Sequence, residues 1–203
     1  QGFFEVDVLL DTADDEVYLG ELNPRISGAS AITNVTAGAY ADVPLFLFHL
    51  LEYLDVQVDL DVDEINARWR RLASSDEWSQ MIVKEVRGPV EHIDAAAPTG
   101  QYALNDDGTM TFRRAALDWH QLQDEQEAFY LRIYGAGDYR WKGADLGVIV
   151  TKGRLQHEVD GELRLTERAV HLIDAVRGRY AGTPVETEVA EVDVVLPLVS
   201  AAK

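Results

Sequence analysis

Residues 2–25 restrict this chain more than any other segment, because two strand-length runs flank a short polar turn there. Phe4, Val6, Val8 and Leu10 alternate with Phe3, Glu5, Asp7 and Leu9, the period of two that a half-buried strand requires. Thr12, Ala13, Asp14 and Asp15 supply turn chemistry, and residues 16–21 resume as a second strand through Val17, Tyr18 and Leu19. The prediction is an antiparallel hairpin. Its pleat sorts the polar side chains: Asp7 shares a side with Glu5, and Glu21 and Asn23, two apart, share a side of the partner strand. Asp7 then lies across from that pair, so two carboxylates and an amide oxygen converge.

Those are hard oxygen donors of the kind Mg²⁺ accepts, and three of them leave coordination positions for water or phosphate oxygens. Arg25, two residues further on, is placed to reach an anionic oxygen with its planar fork. Acids on hairpins are usually just solvated, and oxygen-ligand sites have loose spacing rules, so spacing alone does not establish a metal site.

After the hairpin, residues 23–38 have the Ser, Thr, Gly and Asn content of a site loop. Asp42-Val43-Pro44 is a helix start, with Phe46, Leu47, Leu50, Leu51 and Leu54 as its expected buried stripe. A second helix is expected over 62–74, capped by Asp61. From about residue 79 the texture changes to short β runs at 81–86, 101–104, 109–113, 127–134 and 144–151, with Asn105-Asp106-Asp107-Gly108 as a hairpin turn. Residues 165–180 read as an amphipathic helix with Ala169, Leu172, Ile173 and Val176 on one face and Gly178 and Gly182 near its end. Residues 186–195 read as a last strand. The fold class expected is α+β in two parts, 1–75 and 79–203, with the boundary near 74–79.

Composition narrows the function. Without cysteine, disulfides, thiolate nucleophiles and Cys-based metal sites are excluded, which fits a reducing cytoplasm. The formal net charge of −18 repels nucleic acid, and no basic stripe offsets it. No stretch reaches the length of uncharged apolar residues that a membrane span needs. A phosphate ligand would need divalent metal beside it on so acidic a chain.

The segment 2–38, GFFEVDVLLDTADDEVYLGELNPRISGASAITNVTAG, resembles the end of an ATP-grasp domain, most of all in the carbamoyl-phosphate synthetase and biotin carboxylase branch. The resemblance rests on the E-x-N-P-R run, the hydrophobic-acid strand before it and the Ser/Thr/Ala/Gly-rich tail after it. It implies that Glu21 and Asn23 ligate Mg²⁺ (or Mn²⁺) on the phosphates of ATP and that Asp7 matches the other metal ligand. It also implies that Arg25 stabilises the phosphoryl-transfer or acyl-phosphate transition state. The main chain around Ser27, Gly28 and Ser30 is expected to help bind an acyl substrate. Further on, residues 139–180, with ADLGVIVTKGR and LTERAVHLIDAVRGRY, are similar to the C-terminal domain of biotin carboxylases, where a strand pair precedes a helix of the same register.

Two departures shape the expectation. Biotin carboxylases typically follow the motif arginine with Q-V-E-H, whose glutamate handles bicarbonate; here those positions read Ser27-Gly28-Ala29-Ser30, and Ala29 cannot be a base. The balance moves to a ligase that joins a small carboxylate to an amine, with a bicarbonate-using relative as the alternative. The lysines and glycine-rich lid that hold ATP in the family precede the hairpin and are not in the chain, so the chain is expected to be part of a larger enzyme and inactive alone. A competing reading from another class is a noncatalytic module that forms homo-oligomers through strand edges in 79–203. Gly135-Ala136-Gly137-Asp138 reads as a β-turn, and the five scattered histidines lack the clustering of a zinc site.

Overall fold

The computed structural model describes residues 2–27, 30 and 45–186, and it is mixed α+β with antiparallel sheets. The chain opens with the expected hairpin, β1 (Glu5–Asp11) and β2 (Glu16–Asn23). Asp15 closes its turn at a φ of 59°, and Asp11 and Asp14 accept from the Ala13 and Glu16 N–H groups at 2.9 and 3.0 Å.

Helix α1 (Leu45–Tyr53) follows; its expected start at Asp42–Pro44 lies outside the described residues. The expected buried stripe holds in part: Phe46 and Leu51 are half-buried, but Leu47, Leu50 and Leu54 are exposed, and Leu45, Phe48 and His49 are half-buried in their place. The cause is legible in LFLFHLLEY, which is apolar almost all round, so the 3.6-residue period selects no face and neighbouring contacts decide. Helix α2 (Val62–Ser75) begins as expected, with the Asp61 carboxylate accepting from Glu64 N–H at 2.9 Å. Ile65, Arg68, Trp69 and Leu72 form its half-buried stripe.

The texture change falls between the end of α2 and β3 (Trp78–Lys84). There follow β4 (Glu91–Ala95), β5 (Gly100–Leu104), β6 (Met110–Arg114), β7 (Glu127–Arg132), β8 (Tyr139–Arg140) and β9 (Asp145–Lys152). After these come β10 (Gln156–Val159), β11 (Glu162–Leu165), α3 (Glu167–Arg177) and β12 (Ala181–Pro184). The largest sheet has the order β3-β9-β7-β5-β6, a smaller one β12-β4-β8, and β10-β11 is a separate ribbon.

The five-stranded sheet has cores on both faces. Tyr102, Ala128, Tyr130 and Ile149 face Ala169, Leu172 and Val176 of α3; Phe129 and Val150 pack with Leu122 on the other side. A register shift between Val83 and Lys84 leaves Leu146 as an extra residue on β9, and Leu146 turns into the α3-side core with nothing exposed. The Tyr130 ring lies over Gly147, where a Cβ would stand 2.4 Å from it. The Tyr130 hydroxyl donates to Leu146 O at 2.9 Å and meets the Tyr180 hydroxyl at 2.9 Å.

Several expected limits move. The helix expected over 165–180 starts after Thr166, whose hydroxyl accepts from Ala169 N–H at 3.1 Å, because Leu165 is held in β11. It ends at Gly178, and Gly182 belongs to β12. The strand expected from residue 81 begins at Trp78, and the one expected to reach residue 134 ends at Arg132. The Asn105–Gly108 turn is present, with Gly108 N–H on Asn105 O at 2.9 Å and a Gly108 φ of 78°. The 135–138 turn is present too, closed by Asp138 N–H on Gly135 O at 3.1 Å. Residues 187–195 of the expected last strand lie outside the described residues.

Candidate functional site

The pairing of β1 with β2 sets the site. Glu5 lies opposite Asn23 and Asp7 opposite Glu21, and directly opposed residues project from the same face of a sheet. The ladder then slips at Gly20; a Cβ there would stand 3.0 Å from the Asp7 carbonyl oxygen, so glycine lets β2 come close to β1 beside the acids.

The three residues expected to bind metal are brought together. Asn23 Nδ2 donates to Asp7 Oδ2 at 3.1 Å and to Glu21 Oε1 at 2.7 Å. One small group thus bridges both carboxylates, in the position a cation between them would take. To ligate a metal the amide would turn so that Oδ1 replaced Nδ2, a rotation between groups of nearly equal size. Two carboxylates and an amide oxygen fit Mg²⁺ by donor chemistry. Among the described residues no three of His, Cys, Asp and Glu are grouped to hold a metal, so the donor set carries two carboxylates and not three.

Glu5 is the member that sequence reasoning missed. Its carboxylate accepts from the Ser27 and Ser30 hydroxyls, Ser27 N–H donates to Ser30 Oγ at 2.8 Å, and Ser30 N–H donates to Ser27 O at 3.3 Å. Ser30 is 2% exposed. The N–H groups of Ser27 and Ser30, expected on an acyl substrate, are here used within the turn, which Glu5 ties to β1. Gly28 lies outside the described residues. The signal was in the sequence: Glu5 precedes Asp7 by two and so shares its face.

Arg25 stands apart from the trio. Its N–H donates to Asn23 O at 2.8 Å, and its side chain makes no ion pair with any described residue. It lines a cleft of about 480 Å³ with Leu22, Pro24, Ile26 and Tyr53, whereas Asp7 lines another of about 630 Å³ with Glu5, Phe48 and Glu52. Both clefts share Gly2, Phe3, Phe4 and His49. The two sides therefore differ in charge, carboxylates on one and a guanidinium on the other. His49 is fixed between them: Phe3 N–H donates to Nδ1 at 2.9 Å, which leaves the proton of the neutral ring on Nε2.

No family model, no curated protein and no solved structure matches the chain. No helix among the described residues is long and apolar enough to cross a membrane.

Proposed function

We propose that the hairpin is the metal-binding segment of an ATP-grasp ligase, in which Asp7, Glu21 and Asn23 hold Mg²⁺ or Mn²⁺ against the phosphates of ATP. The observation that carries this reading is the convergence of those three side chains, from two strands, within hydrogen-bond distance at a solvent-accessible face. The metal would supply charge neutralisation at the phosphates. The resemblance of residues 2–38 to the ATP-grasp family supports the same assignment, as does that of 139–180 to the biotin carboxylase C-terminal domain.

The reaction class is carboxylate–amine ligation. A carboxylate oxygen attacks the γ-phosphorus as the bond to ADP breaks; the amine nitrogen then attacks the acyl carbon, inorganic phosphate departs with the bonding pair, and the amine proton passes to solvent. Arg25 stabilises the negative charge on the acyl phosphate from the neighbouring cleft. Glu5 holds the Ser27–Ser30 turn that follows Arg25 and so positions it.

The test is amine-dependent ADP formation by the full-length enzyme. Glu21→Gln or Asn23→Ala lowers it about a hundredfold or more, the scale of one preorganised electrostatic group. An unchanged rate rejects the ligase reading.

A further inference from the structure

We infer that the cleft carrying Arg25 is the carboxylate subsite and that the acid it takes has an apolar body. This rests on the ligase reading for its place in the reaction, but its evidence is separate. On a chain of net charge −18, this cleft of about 480 Å³ has no Asp or Glu among the described residues that line it. Its polar side chains are Arg25, His49 and Tyr53, and each presents a donor. Arg25 keeps its charge and offers a fork that matches a carboxylate. His49 has its acceptor nitrogen taken by Phe3 N–H, so the neutral ring has only Nε2–H left to give. The other described residues of the lining are Phe3, Phe4, Leu22, Pro24 and Ile26 with Gly2.

A few convergent donors on a mainly apolar wall select a ligand with an anionic head and an apolar body. The volume lies within the usual range for a small-molecule site and exceeds what acetate or bicarbonate needs. The adjoining cleft, with Glu5, Asp7 and Glu52, repels an acid and suits the amine. The substrate class is therefore an aryl or branched aliphatic monocarboxylic acid.

The full chain is titrated by NMR with phenylacetate, acetate and phenethylamine, without nucleotide or metal. Phenylacetate shifts the resonances of Leu22, Arg25, Ile26 and His49, and it binds about tenfold or more tightly than acetate, because the ring is buried. Phenethylamine, with the same body and the opposite charge, leaves them unmoved. Arg25→Gln weakens phenylacetate by about tenfold or more, while Ile26→Ser weakens phenylacetate and spares acetate. Retained shifts of Tyr130 and Ile149 show in each variant that the β-rich part is folded. Equal binding of the amine, no preference over acetate, or shifts confined to residues 78–186 would each overturn the assignment. If metal binds at Asp7 and Glu21 but phenylacetate does not bind, this inference fails and the ligase reading stands. If phenylacetate binds as described and metal does not, the subsite stands and the ligase reading fails.

Discussion

The hairpin with α1 and the β-rich part beyond Trp78 solve the problem of apolar surface in opposite ways. In the β-rich part the large apolar residues are enclosed: Tyr102, Tyr130, Leu146, Ile149 and Leu172 are at most 1% exposed. In the hairpin Val8, Leu9, Leu10, Val17 and Leu19 are all exposed, and among the described residues the ribbon has two strands, a size that is marginal alone. Stability is thus concentrated away from the convergent oxygen donors, which sit where packing is thin. A metal site on such a ribbon depends on its own turn, bulge and cross-strand bonds to hold its shape.

Truncation breaks or sharpens that contrast most strongly. Ile149→Ala should cost about 2–5 kcal/mol in urea unfolding, since it leaves a cavity between sheet and helix, whereas Leu19→Ala, at 73% exposure, should stay within about 0.5 kcal/mol. Similar losses at both positions would mean that the hairpin is covered in solution.

A smaller effect is expected at the buried phenols. Tyr130→Phe removes the hydroxyl that bonds Leu146 O and Tyr180, and should cost about 1–2 kcal/mol. Burial raises the Tyr130 and Tyr180 phenols above the ordinary value and pushes Tyr102 up to about 12. The unfolded chain therefore releases these protons first. Their contribution is complete below the ordinary phenol pKa near 10 and is lost as pH rises above it, through about 12 for Tyr102. Absorbance of tyrosinate followed beside unfolding checks this: the buried phenols should ionise with the loss of structure and not before it. Asp61→Ala, which removes the α2 cap, should cost about 1 kcal/mol of helix stability, read by circular dichroism.

What the sequence disclosed depended on local rules. The 5–23 hairpin, the Asp61 cap and the Asn105–Gly108 turn follow from period-two alternation and turn chemistry within a few residues. The β10–β11 ribbon was equally readable and missed: Asp160-Gly161, at φ values of 53° and 79°, is the Asp-Gly signal of a tight hairpin. Other features are tertiary. Nothing local makes Leu146 a bulge residue turned into the core, and nothing in LFLFHLLEY says that Leu45, Phe48 and His49 face inward. At the candidate site, Asp7, Glu21 and Asn23 were legible because the pleat fixes which side chains share a face. Glu5 carried the same signal and was passed over. His49 was not legible, since its role rests on a bond to Phe3, 46 positions away in sequence.

The central claim is that Asp7, Glu21 and Asn23 form one divalent-metal site, and Mn²⁺ titration followed by NMR tests it most directly. Substoichiometric Mn²⁺ should broaden resonances around Asp7, Glu21 and Asn23 first, and Asp7→Asn or Glu21→Gln should abolish that selectivity. Broadening spread evenly over other exposed acids such as Asp14, Asp106 and Asp107, or left unchanged in either variant, would contradict it.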